Sequence, residues 1–107
     1  MKRDRNREWQ LLDHYGALLT EHQRAVLEEY YNEDLSMNEI AENYGISKSA
    51  VQDLIRRCER QLNTYEEKLG SIALEKKLSD LVSEMNDSQD DRLKEYARKI
   101  ETILKGE

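Results

Sequence analysis

The sequence predicts an all-α protein with a helix-turn-helix at residues 35–57. Three observations lead there. The 107 residues include no proline, no phenylalanine and only four glycines, and 37% of them are charged, which suits long solvated helices better than a turn-rich sheet. Apolar residues recur at three- and four-residue spacing along most of the chain. Capping-box patterns, a Ser or Thr followed three places later by Gln or Glu, occur at residues 20–23 and 36–39.

The first helix is expected over residues 9–19. Trp9, Leu11, Leu12, Tyr15, Leu18 and Leu19 keep helical spacing there but spread over a wide arc, so this helix should touch neighbours on two sides. Thr20 caps a second helix running to about residue 33, with Val26, Leu27, Tyr30 and Tyr31 on its apolar side. Ser36 caps a third, of about eight residues, carrying Met37, Ile40, Ala41 and Tyr44 and stopped by Gly45, where a left-handed residue is needed. Ser47 caps a fourth helix of about twenty residues, striped by Val51, Leu54, Ile55, Cys58, Leu62, Tyr65 and Leu69. Ser71 is the expected cap of a fifth, with Leu74, Leu78, Leu81, Val82 and Met85. A turn at residues 86–88 leads to a last helix with Leu93, Tyr96, Ala97, Ile100, Ile103 and Leu104 on one side. Residues 1–70 then form the helix-turn-helix domain with a long recognition helix, and residues 71–107 a C-terminal helical hairpin packing on that same domain.

Net charge is −6, which opposes nonspecific attraction of the whole molecule to nucleic acid. Its distribution is uneven: +2 over residues 1–8, −7 over 9–46, +2 over 47–60 and −3 over 61–107. Net positive charge is confined to an N-terminal arm and one helix. No stretch is apolar enough to span a membrane and no apolar signal segment follows the basic start, so a cytoplasmic protein without membrane insertion is expected. The single cysteine, Cys58, lies on the buried stripe and reads as a small core residue. His14 and His22 lack the further ligands of a zinc site and read as surface groups. Carboxylate pairs such as Glu28 and Glu29, Glu66 and Glu67, or Asp90 and Asp91 are adjacent in sequence, so on helices they diverge. No nucleophile–base pair, phosphate loop or metal set is present, and neither an enzyme nor a cofactor is expected.

A helix-turn-helix needs a small residue where its helices cross and a residue tolerant of positive φ in its turn. Ala41 and Gly45 meet those needs, and Ile40, Tyr44, Ile46, Val51 and Leu54 occupy the remaining core positions without gap or insertion. The second helix of such a unit offers its N-terminal outward residues to the major groove. Here Lys48 and Gln52 suit base edges, Ser47 and Ser49 suit phosphate or base, and Arg56, Arg57 and Arg60 suit the backbone. Asp53 tolerates only a base donor such as cytosine N4, or else pairs with Arg56 or Arg57. Trp9, Tyr15, Tyr30, Tyr31 and Tyr44 could form a base-stacking set, but their helical spacing assigns them to the core.

The runs Leu19-Thr20-Glu21-His22-Gln23-Arg24-Ala25-Val26-Leu27, Asp34-Leu35-Ser36, Glu39-Ile40-Ala41-Glu42 and Gly45-Ile46-Ser47 resemble region 4 of bacterial sigma factors. With His14 to Leu19, Ser47 to Arg57 and Thr64 to Leu69 added, the whole chain resembles YlxM-type proteins. That resemblance implies a small bacterial helix-turn-helix regulator, often dimeric, whose gene commonly neighbours those of the signal recognition particle GTPases. The chain lacks the other promoter-reading regions of a sigma factor, and its reading helix carries Asp53 and few early arginines. The expected function is a nucleic-acid-binding regulator acting as a homodimer, with DNA or signal recognition particle RNA as ligand. The alternative is an adaptor docking a targeting GTPase through the acidic surface of residues 9–46 and the C-terminal hairpin.

Overall fold

Residues 5–106 are described by a computed structural model, and six α-helices account for most of them. They are α1 (Arg5–Tyr15), α2 (Glu21–Tyr31), α3 (Met37–Tyr44), α4 (Lys48–Leu69), α5 (Ser71–Asn86) and α6 (Asp91–Leu104). No strand occurs among the described residues. Lys2 and Arg3 of the basic arm lie outside them.

Local chemistry sets most boundaries. Thr20 and Ser36 both close full capping boxes: Gln23 N–H donates to Thr20 Oγ1 at 3.2 Å and Glu39 N–H to Ser36 Oγ at 3.1 Å, with the reciprocal bonds also made. α2 stops at Tyr31, two residues before the expected end. The Asn32 and Glu33 amides both turn back to the Glu28 carbonyl, and Asp34 takes φ +60°, a conformation Asp tolerates and a helix does not. α1 also differs from expectation. It begins earlier and gives way to a 3-10 turn at Gly16–Leu18, closed by Leu19 N–H on the Gly16 carbonyl at 3.1 Å. Gly70, at φ +65°, ends α4, and Ser71 is the first residue of α5 instead of its cap.

The chain divides into two compact units, Met1–Gly70 and Ser71–Glu107. In the first, α4 packs against α1, α2 and α3. Leu11, Leu12 and Tyr15 of α1, Val26 and Leu27 of α2, Ile40 and Ala41 of α3, and Val51, Ile55, Cys58 and Leu62 of α4 are buried together with Leu19 and Tyr31. Leu27, Ile40, Ile55 and Leu62 are the largest fully buried side chains. Truncating any of them leaves a cavity costing about 2–5 kcal/mol. Two phenols brace the unit: Tyr15 donates to Glu66 Oε1 and Tyr31 to Glu59 Oε1, each at 2.5 Å.

Two expectations about apolar residues fail here. Trp9, on α1, and Leu18, in the 3-10 turn, are 49% and 55% exposed, whereas α1 turns Leu11, Leu12 and Tyr15 to the core. Trp9 therefore does not belong to the core with Tyr15 and Tyr31.

In the second unit α5 packs against α6. Asp90 caps α6, its Oδ1 accepting from Arg92 N–H at 2.9 Å. Asn86 Nδ2 donates to Glu101 Oε1 at 3.0 Å. Glu101 lies ten residues, about 15 Å, beyond Asp91, so this bond brings the last turns of α6 to the C-terminal end of α5.

Candidate nucleic-acid interface

The turn between α3 and α4 is built by backbone hydrogen bonds around Gly45. With Gly45 at φ +66°, its N–H reaches the Glu42 carbonyl at 3.3 Å and Ile46 N–H the Ala41 carbonyl at 3.1 Å, the paired bonds of a Schellman motif. A Cβ at Gly45 would meet nothing within 4 Å, so glycine is required there by φ and not by space. Two residues later Ser47 caps α4, its Oγ accepting from Ala50 N–H at 3.0 Å. Ser47 thus positions the start of the reading helix, and its hydroxyl hydrogen is left to donate to a phosphate or base.

α4 is amphipathic in the strict sense. Val51, Ile55, Cys58 and Leu62 face the core, while Lys48, Ser49, Gln52, Asp53, Arg56, Arg57 and Arg60 are all exposed. At 3.6 residues per turn, Ser49, Asp53, Arg56 and Arg60 fall on the side opposite Val51, with Lys48 and Gln52 on one flank and Arg57 on the other. The cations span residues 48–60, about 18 Å of helix. Beyond Arg60 the outward positions become Asn63, Thr64 and Glu67, so the basic surface ends there. Of the two roles open to Asp53, the structure contains the ion pair: Arg57 Nε lies 3.0 Å from Asp53 Oδ2. The i,i+4 spacing selects Arg57 over Arg56.

The motif core is partly as expected. Ile40, Ala41 and Val51 are buried, and Tyr44 and Leu54 are half-buried. Ile46, expected in the core, is 38% exposed. The Tyr44 ring meets His22 edge-on at 5.1 Å between centroids. The Glu29 carboxylate first, then burial and the charges of Glu29 and Glu33, push the Tyr44 phenol above its ordinary range.

One neighbourhood was not legible beforehand. Thr20, His22 and Gln23 at the start of α2 line an open groove of about 360 Å³ with Ala50, Asp53, Leu54 and Arg57 of α4. The capping box places the start of α2 but says nothing about which helix stands beside it. Cys58 is fully buried, and burial, then the charge of Glu59, raises its thiol. Among the described residues no group of three or more His, Cys, Asp or Glu could hold a metal ion, and no helix is long and apolar enough to cross a membrane.

A family model described as "Putative helix-turn-helix protein, YlxM / p13 like" matches residues 2–103. A UPF0122 protein of Clostridium perfringens (strain 13 / Type A) is 44% identical over 104 residues, covering 88% of this chain and 90% of its own. One of Symbiobacterium thermophilum is 40% identical over 97 residues, 91% of each chain. One of Desulforamulus reducens is 52% identical over 63 residues, 59% of this chain and 54% of its own.

Proposed function

Because this chain belongs to the YlxM/p13-like helix-turn-helix family, we propose that it is a nucleic-acid-binding regulatory protein whose α4 is the reading helix. One observation carries the reading: the exposed side of α4 presents Lys48, Ser49, Gln52, Arg56, Arg57 and Arg60 while its other side is locked into the core. Lys48, Ser49 and Gln52, in the first turns, are the base-edge readers, and the three arginines grip phosphates. A helix fits the major groove of B-form DNA but not the deep, narrow one of A-form RNA, which makes DNA the first ligand. Signal recognition particle RNA, implied by the family resemblance, is the second. The protein works in the cytoplasm as a homodimer, which supplies two reading helices.

Gel-shift titration against DNA fragments and signal recognition particle RNA, at two salt concentrations, tests this. Lys48, Arg56, Arg57 and Arg60 predict a log–log salt slope of about −3 to −4 per protomer, nearer −3 while Arg57 is paired with Asp53, and doubled in a dimer. Reversing Arg56, Arg57 and Arg60 to Glu should abolish binding while the helices persist. Failure of the native protein to bind either ligand above a scrambled competitor overturns the reading.

The acidic balance of residues 9–46 favours a second reading, an adaptor for a targeting GTPase without nucleic-acid binding. In that case the triple reversal leaves function intact, and acid-to-neutral changes in α2 and α3 remove partner binding.

A further inference from the structure

We infer that the groove between the start of α2 and the exposed side of α4 is a binding site for one unpaired guanine base of a nucleic-acid strand. The inference rests on the reading of α4 as a nucleic-acid-binding surface and adds to it a base read outside a duplex.

The groove holds about 360 Å³, at the small end of the roughly 300–1,000 Å³ of small-ligand clefts, and suits one planar group. Ala50 and the half-buried Leu54 give it an apolar lining on the α4 side. On the α2 side stands the His22 ring, held by its edge-on contact with Tyr44. An apolar surface and a fixed ring are what the faces of a base pack against. This side is also preformed, because Thr20 and Gln23, which line it too, are bonded to each other in the capping box.

Polar chemistry then selects the base. Asp53 and Arg57 line the same groove and their charges cancel, so it suits a neutral base better than a phosphate. Arg57 Nε lies 3.0 Å from Asp53 Oδ2, which leaves, among the described residues, Asp53 Oδ1 and the Arg57 Nη groups for a ligand. A carboxylate oxygen has two lone pairs, so Oδ2 can accept a further bond beside Oδ1. The pair thus offers two acceptors followed by a donor. The Watson–Crick edge of guanine is the complement, with the N2 and N1 donors followed by the O6 acceptor. Adenine and cytosine set one amino donor beside a ring-nitrogen acceptor, and uracil sets one N–H between two carbonyls. Each would turn an acceptor toward the carboxylate, at the cost of an unmade bond. In a duplex the Watson–Crick edge of guanine is occupied and its major-groove edge carries N7 and O6, both acceptors, which Asp53 repels. The base must therefore be unpaired, as in a loop, a bulge or a single strand.

Fluorescence anisotropy on the full chain tests the site. The probes are hairpins of one stem, made in RNA and in DNA, whose loops carry a single guanine, adenine, cytosine, uracil or inosine. The guanine loop should bind about tenfold tighter than the rest, inosine included, because inosine lacks the N2 amino group. A preference seen in both series assigns the base alone, and one confined to RNA or to DNA names the strand as well. Asp53→Asn replaces one acceptor by a donor. It frees Arg57 and so tightens every hairpin, yet the preference for guanine should fall to near unity. Equal binding of all the loops, or a preference that survives Asp53→Asn, overturns the inference and leaves the reading of α4 standing. If no hairpin binds above a scrambled competitor, that reading fails and the site with it.

Discussion

Gly45 and Cys58 show how differently single positions are constrained. At Gly45 the demand is purely conformational, since φ is +66° and a Cβ would touch nothing within 4 Å. Gly45→Ala should cost about 1–2 kcal/mol, seen as a lower urea midpoint with an unchanged m-value. Both the glycine and its role are readable from sequence, because a left-handed helix stop is a local requirement. Cys58 is constrained by its surroundings. Burial disfavours the thiolate and raises the thiol above its ordinary 9.0. A raised native value means that the folded state holds its proton more tightly. Its contribution to stability is therefore present below pH 9 and lost as pH climbs through the native value. At pH 8.5 iodoacetamide should label Cys58 in the native protein on the order of 100-fold more slowly than in denaturant, read by mass. Equal rates would contradict its place in the core.

At the scale of elements, α4 carries both a structural and a recognition burden on opposite sides. Its buried stripe was legible because a 3.6-residue period survives in sequence, and its start because Ser47 caps it through a bond to Ala50 only three residues on. The Asp53–Arg57 pair on the recognition side has side chains 57% and 74% exposed, and such pairs are worth about 1 kcal/mol at most. Asp53→Asn should leave the denaturation midpoint almost unmoved. In the gel shift it should tighten binding and steepen the salt slope by about one, since Arg57 is then free for a phosphate. An unchanged slope would show that Arg57 does not reach the backbone. The end of α2 and the break in α1 were less legible. Both depend on where the chain must go next, through Asp34 at φ +60° and the 3-10 turn at Gly16–Leu18.

On the scale of the whole molecule, the two units differ in how much they bury. Among the described residues, thirteen of the sixteen buried apolar ones lie at or before Leu62, and three lie beyond it. Hydrogen exchange should find the amides of α2 and α4 slowest at every protein concentration, and those of α5 and α6 faster. Such differences follow from what a sequence can encode locally. By itself the sequence determined the helical class, the two capping boxes, the left-handed glycine at position 45 and the buried stripe of α4. Each of these rests on hydrogen bonds or spacings within a few residues of chain. Only the tertiary structure decided that Trp9, Leu18 and Ile46 stay exposed despite their chemistry, and that Thr20, His22 and Gln23 stand beside Asp53 and Arg57. Exposure and neighbourhood depend on which surface arrives from elsewhere in the chain, and helical periodicity says which side of a helix is apolar without saying what covers it.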